Sequence, residues 1–225
     1  MCRTAWSGSY SRCFPCNEAY RKAGGQLADA IVPISIAVKG DQFAVELWRY
    51  KNHADAQARA VLQSRLASVL WRFAAEHESC IADHTGVPEF DCVTVVPSTS
   101  GRLDHPLRHM VASMIPYTRD RFVDLPISNS ALSADRQVHV DRFIPVVGQA
   151  IDGASILLFD DTWTTGAHAQ SAAWALKRAG AARVAILVIG RHFVPTFSDN
   201  GRNLRVAKQK RFSWDHCCVH DSRSW

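Results

Sequence analysis

Residues Ile156-Leu157-Leu158-Phe159-Asp160-Asp161-Thr162-Trp163-Thr164-Thr165-Gly166-Ala167-His168 narrow the choice of fold more than any other stretch of the chain. Ile156 to Phe159 form an apolar run without a polar break, the pattern of a strand buried on both faces in a parallel sheet. Asp160 and Asp161 mark where that strand leaves the core. A tight loop, Thr164-Thr165-Gly166, follows, and His168 to Ala179 read as a helix stopped by Gly180. A phosphate bound in the loop meets free backbone N–H groups at the positive end of a helix, with threonine hydroxyls as further donors and a glycine that permits close approach. The two carboxylates suit vicinal hydroxyls or a hydrated magnesium ion. A monophosphate beside a diol is the outline of a ribose 5-phosphate. An ordinary buried strand capped by an acidic helix start asks for fewer of these residues.

This stretch resembles the phosphoribosyl-diphosphate (PRPP) binding motif of the type I phosphoribosyltransferases. Thr162 and Trp163 stand where that family usually has aliphatic residues, and His168 replaces a small or hydroxyl residue. The resemblance implies an α/β fold with a mostly parallel twisted sheet, flanking helices and a mobile hood. It assigns Asp160 and Asp161 to the ribose hydroxyls, and Thr162, Thr164, Thr165, Gly166, Ala167 and His168 to the 5-phosphate. A second strand, Asp91 to Pro97, delivers Ser98, Thr99, Ser100, Gly101 and Arg102. Small hydroxyl residues, a glycine and an arginine make an anion site for a diphosphate, or an ordinary polar turn. In the family, the pyrophosphate loop follows the first strand, which adds Arg102 to the two aspartates as a catalytic residue.

Leu132 to Phe143 resembles the pattern Leu-Ser-x-x-Glu-Arg-x-x-Asn-Val-x-x-x-Phe of the ComF-like branch, with Asp135 for the glutamate and His139 for the asparagine. That branch's Arg-Gly-Phe-Asn-Gln segment is missing; Thr118 to Phe122 stand in its neighbourhood without matching. The segment Trp48-Arg49-Tyr50-Lys51 resembles the Lys-Tyr strand that precedes the catalytic domain in the same branch. The implied activity is transfer of ribose 5-phosphate from PRPP, with magnesium, to an unidentified nitrogenous acceptor, with release of pyrophosphate from a homodimer. The missing segment leaves room for a non-catalytic PRPP-sensing regulator, or a nucleic-acid-associated protein, on the same fold.

The rest of the chain fits around this core. With 225 residues, 47% of them hydrophobic, it can bury one domain with appendages or two small ones. It contains no run of eighteen apolar residues and opens with no leader-like segment, so a cytoplasmic protein without a membrane span is expected. The net charge of +5 is matched by Arg202, Arg205, Lys208, Lys210 and Arg211, a basic strip that reads as a solvated tail before it reads as an RNA or phosphate site.

Residues 1–52 are expected to form an accessory unit with a hairpin, Ile31–Val38 and the alternating Phe43, Val45 and Leu47 about a Lys39-Gly40-Asp41 turn. Residues 53–200 form the main domain, opening with a long amphipathic helix from Asp55 to about Glu78 and including a second helix from Pro106 to Ile115; 201–225 form a basic, Cys/His-bearing tail. Seven cysteines favour reduced thiols or metal ligands over a complete disulfide set. The pair Cys13 and Cys16 supplies two thiolates for a structural zinc ion, with Cys2 and Cys217 as candidates to complete it, or is a redox or incidental pair. His216, Cys218 and His220 neighbour Cys217 as further donors, whereas Cys80 and Cys92 read as plain thiols. Arg191 and His192, at a strand's C-terminal edge, face an acceptor or are ordinary surface residues.

Overall fold

The computed structural model describes residues 14–98, 105–129, 135, 137–145, 151–197, 200–209 and 211–219. Its centre is a parallel four-stranded sheet in the order β1-β6-β5-β2, where β1 is Ala30–Val38, β2 Cys92–Val95, β5 Ser155–Trp163 and β6 Arg183–Phe193. The intervening β3, Pro126–Ser128, and β4, Phe143–Pro145, make a separate antiparallel pair. Helices α1 (Phe14–Lys22), α2 (Gln42–Asn52), α3 (Ala56–Thr85) and α6 (Ala167–Arg178) flank the main sheet, with short α4 (Pro106–His109), α5 (Pro116–Arg119) and α7 (Asn200–Lys208) between or after them. The protein is therefore α/β with a parallel sheet covered on both faces. Among the described residues, no helix is long and apolar enough to cross a membrane.

The alternation of side chains along each strand sorts the core into two layers. Leu157 and Phe159 of β5, Ala185, Leu187 and Ile189 of β6, and Ala30, Val32 and Ile34 of β1 pack with Leu66, Leu70 and Phe73 of α3. Ile156 and Leu158, Val184, Ile186 and Val188, and Ile31 pack with Ala169, Ala172, Ala173 and Leu176 of α6. The alanine-rich face of α6 lets the helix lie close to the sheet. Helix α3 begins at Asp55, whose side chain accepts from the Gln57 N–H, and ends at Gly86, so it runs a further two turns past the expected Glu78. The expected helix at 106–115 is present but broken into kinds: α4 continues into a π-helical turn, Met110–Met114, before Pro116.

The N-terminal hairpin expected from the sequence is not formed. β1 is an edge strand of the main sheet, parallel to β6 from Ala30↔Ala185 to Val38↔Phe193, and the segment after the turn at Gly40 is helix α2. Trp48 to Lys51 thus lie on the last turns of a helix, not on a strand. Phe43 and Leu47 are one helical turn apart and face inward, while Val45, which completed the apparent alternation, is exposed.

Helix α2 approaches the sheet over Gly190 of β6. A Cβ at that position would stand 2.4 Å from Leu47 Cδ1, 3.2 Å from Ala37 Cβ and 3.3 Å from Phe43 Cε1. Gly190→Ala is therefore expected to push α2 off the sheet and destabilise the protein by about 1–3 kcal/mol, the usual cost of overpacking. Equilibrium denaturation, with the midpoint lowered at unchanged slope, is the measurement that checks it.

Candidate functional site

β5 carries Asp160 and Asp161 inside its last turns of sheet pairing, with Asp160 opposite Val188 and Thr162 opposite Gly190 of β6. The strand therefore continues through the acidic pair to Trp163, further than the apolar run alone indicates. Asp161 is buried, and a buried carboxylate requires partners. Two come from consecutive residues at the end of α2: the Tyr50 hydroxyl and the Lys51 ammonium both donate to Asp161 Oδ2, the latter at 2.5 Å. Tyr50 is itself fully buried, so its hydroxyl is fixed by packing. The Asp161 N–H donates to Asp160 Oδ1 at 2.9 Å. Burial, and next the negative charge of Asp161, push the Asp160 carboxyl up to about 8. Asp161 is thus paired with a cation, while Asp160 keeps its proton above the ordinary carboxyl range.

The loop after β5 turns on Gly166, whose φ of +76° places it in the left-handed region at the N-cap of α6. No side chain fits there: a Cβ would lie 2.0 Å from Trp163 Cζ2 and 2.3 Å from Cη2. The indole of Trp163, buried beneath the loop, occupies the space and explains why a large aromatic follows Thr162. Thr164 and Thr165 are exposed at the rim, and Thr165 Oγ1 accepts from the Ala167 N–H at 3.4 Å. Helix α6 then runs twelve residues with its N-terminus at this loop. Thr162, Thr164, Thr165, Gly166, Ala167 and His168 are therefore gathered at one end of β5, next to the aspartates.

His168 lies on the first turn of α6. Arg142 Nη1 donates to its Nε2 at 3.3 Å, and Phe143 meets its ring edge-on at 6.4 Å between centroids. Burial, then the Arg142 charge, hold the imidazole below its ordinary proton affinity, so it is neutral at pH 7. Arg142, 1% exposed, is ion-paired with Asp135 at 2.5 Å; Asp135 also faces His139 Nε2 at 2.8 Å. The Gln137 N–H, followed by His139, keeps Asp135 well acidic, at about 2. The His139 N–H donates to Ser171 Oγ of α6 at 2.9 Å. These bonds dock the segment bearing β4 onto the start of α6.

On the other side of β5, the Val96 N–H donates to Phe159 O at 2.9 Å, which carries the β2–β5 pairing one residue past Val95 and brings Ser98 out at the same edge as Asp160. Thr99, Ser100, Gly101 and Arg102 lie outside the described residues. The chain returns at His105, whose Nε2 donates to Val96 O at 3.1 Å while Nδ1 accepts from the Arg108 N–H at 3.0 Å. Both ring nitrogens are thus engaged in the neutral form, and burial lowers the proton affinity of the ring further; Asp161 and Lys51 act on it in opposite senses. His105 was not singled out by its sequence context, and neither was the pairing of Tyr50 and Lys51 with Asp161.

Other expectations are altered. Arg191 and His192 are not beyond a strand edge but within β6, opposite Trp163 of β5 and Ala37 of β1 respectively, with the Arg191 guanidinium 5.6 Å from the Phe193 ring. In the Thr118–Phe122 segment, Arg121 is a clamp: it makes a bidentate pair with buried Glu78 of α3 at 2.7 and 2.9 Å and donates to Phe90 O at 3.1 Å. Of the zinc candidates, Cys2 and Cys13 lie outside the described residues. Cys16 and Cys217 cannot share an ion, because Cys16 packs with the α6 layer and Cys217 with the α3 layer on opposite faces of the sheet. Cys80, read as a plain thiol, is the cysteine that approaches Cys217.

No family model matches the chain, and no curated protein matches it. The site therefore has to be interpreted from its own chemistry.

The raised proton affinity of Asp160 makes a test independent of any ligand. Between the ordinary carboxyl value of 3.8 and about 8, the unfolded chain releases a proton that the native carboxyl retains, so this group's contribution to stability falls as pH rises through that window. Asp160→Asn removes that loss. The variant is expected to melt above the parent at pH 8, with about 2–4 °C gained for each kcal/mol recovered, and level with it near pH 4. Melting curves at the two pH values check this; an equal difference at both would remove the titration as its cause.

Proposed function

We propose that the protein is a phosphoribosyltransferase of the type I kind, related to the ComF-like branch, which binds PRPP and transfers ribose 5-phosphate to a nitrogenous acceptor. The observation that carries this reading is the joint placement of the Asp160–Asp161 pair and the Thr164–Gly166 loop, at the N-terminus of α6, on one edge of a parallel sheet. Ligands of open α/β sheets bind outside the carboxyl ends of the strands. The coarse architecture, four parallel strands flanked by helices, is compatible with this family.

In the proposed reaction, the loop amides and the hydroxyls of Thr164 and Thr165 hold the 5-phosphate against the helix terminus. Asp160, once deprotonated, accepts from the ribose hydroxyls. Asp161 stays fixed and charged through Tyr50 and Lys51, and so sets the position and field of its neighbour. Ser98 opens the loop assigned to the diphosphate, and Arg102 is the candidate to pair with it. The bond from C1 to the diphosphate oxygen breaks, a bond from the acceptor nitrogen to C1 forms, and pyrophosphate leaves with the electron pair. Positioning and fixed charge provide the acceleration.

A magnesium ion fits the donor set, since both acids offer hard oxygen ligands and Lys51 pairs with only one of them. Asp160 is the residue that would face it. When bound, such an ion neutralises charge on the leaving diphosphate.

Titration calorimetry with PRPP, with and without magnesium, tests the reading. Magnesium-dependent binding is expected, and Asp160→Asn combined with Asp161→Asn is expected to remove it and any pyrophosphate release while the far-UV spectrum stays unchanged. Absence of PRPP binding to the parent protein would overturn the proposal. PRPP binding without pyrophosphate release across a panel of amines and bases would turn it to a sensor on the same pocket.

A further inference from the structure

The C-terminal segment returns to the sheet face covered by α3, far along the sequence from the residues it meets. Cys217 and Cys218 are buried in the layer formed by α3, β1 and β6, with Trp214 and Val219 packed around them. The Arg72 guanidinium lies over the Trp214 ring at 4.5 Å, and Phe212 meets Trp214 edge-on at 4.9 Å. Helix α3 presents His77 and Cys80 to this segment from one face, since residues three apart on a helix are neighbours. The ligand atoms of His77, Cys80 and Cys217 all lie within 4.8 Å of one another, and Cys80 Sγ is 3.8 Å from His77 Nδ1.

The imidazole orientation is fixed. His77 Nε2 is 2.5 Å from the Trp214 carbonyl oxygen, which can only accept, so the ring proton sits on Nε2 and the Nδ1 lone pair points to the thiols. A histidine whose far nitrogen donates to a backbone carbonyl while the near one faces two cysteines has the arrangement that second-shell bonds impose on metal-bound histidines. The spacing agrees as well. Zn–S bonds of about 2.3 Å and Zn–N bonds of about 2.0–2.1 Å at tetrahedral angles separate ligand atoms by about 3.5–3.8 Å; the 3.8 Å between Cys80 Sγ and His77 Nδ1 meets this, and an ion would draw the widest separation, within 4.8 Å, in by about 1 Å.

We propose that His77 Nδ1, Cys80 Sγ and Cys217 Sγ bind a zinc ion that fastens the C-terminal segment to α3. One imidazole and two thiolates select zinc over magnesium or calcium, which take oxygen donors. A tetrahedral ion has a fourth position, which falls to a water molecule or to a further donor of the same segment. Each cysteine gives up its thiol proton to solvent on binding, with no change of oxidation state. The proposal is independent of the phosphoribosyltransferase reading, because the ligands come from α3 and the tail and none belongs to the β5–α6 loop.

The experiment uses the full chain, purified reduced without a metal-chelating tag, loaded with zinc and dialysed, with zinc measured by plasma mass spectrometry and by competition with a chromogenic chelator. One equivalent is expected in the parent and in the Cys92→Ser control, whereas Cys80→Ser and Cys217→Ser weaken zinc more than about 100-fold, beyond the usual cost of second-shell changes. Cobalt(II) added to the parent protein reports the ligand set without any variant: sulfur-to-cobalt charge-transfer absorption at an intensity for two thiolates supports the site. Three results overturn it: no zinc retained by the reduced parent, zinc retained equally by both serine variants, or a Cys80–Cys217 disulfide with no cobalt spectrum after reduction. Equal retention in the variants would assign the ion to other cysteines.

Discussion

A carboxylate placed at the buried end of a parallel strand has to be neutralised, and much of the molecule around the site follows from how Asp161 meets that requirement. Its partners are a hydroxyl and an ammonium from Tyr50 and Lys51, adjacent residues on α2. To deliver both, α2 must lie close against β6, which Gly190 alone permits by leaving the space that Leu47 fills. β1 must run parallel beside β6 so that the turn at Gly40 starts α2 over that glycine. The N-terminal segment is thereby part of the site's support, and the removal of one buried partner would leave a charge that the low-dielectric interior penalises heavily.

Fixing Asp161 in this way has a consequence for Asp160. With burial and the neighbouring Asp161 charge both opposing ionisation, Asp160 keeps its proton well above the ordinary carboxyl range. A group that ionises only with effort is a group whose ionised form gains from a ligand that supplies donors or positive charge. The same burial therefore destabilises the empty site and favours an occupied one, the usual relation between a strained site and its ligand. On the other flank, His105 stays neutral with both nitrogens engaged, and so anchors the start of α4 to Val96 without adding charge.

The β5–α6 unit was legible because its pattern is local: an apolar run, acids, hydroxyls, a glycine and a helix, all within one stretch of sequence. The hairpin failed for a physical reason. Phe43 and Leu47 satisfy both a period of two and a helical turn, and only the exposure of Val45 tells the two apart. Asp41 at the helix start was the available signal, and it was read as part of a turn. Long-range pairs left no local mark at all. Arg121 finds Glu78 forty-three residues away, and Cys217 meets Cys80 from the far end of the sequence, although the i, i+3 spacing of His77 and Cys80 on a helix was a visible half of that group.

Three residues from two separate segments of the sequence form one cluster in three dimensions. Asp135, His139 and His168 meet around the buried guanidinium of Arg142: Asp135 pairs with it, His139 pairs with Asp135, and His168 accepts from it. A shorter acid at 135 is accompanied by an imidazole at 139 that reaches it, and the same Arg142 that gains a carboxylate partner lends a proton to the histidine at the start of α6. Contributions that depend on a common partner are not additive, so the three side chains and Arg142 act as one group. The cluster ties the segment bearing β4 to the first turns of α6. Together with the indole of Trp163, which fills the space that Gly166 leaves open, this cluster holds the start of α6 and the loop before it in place.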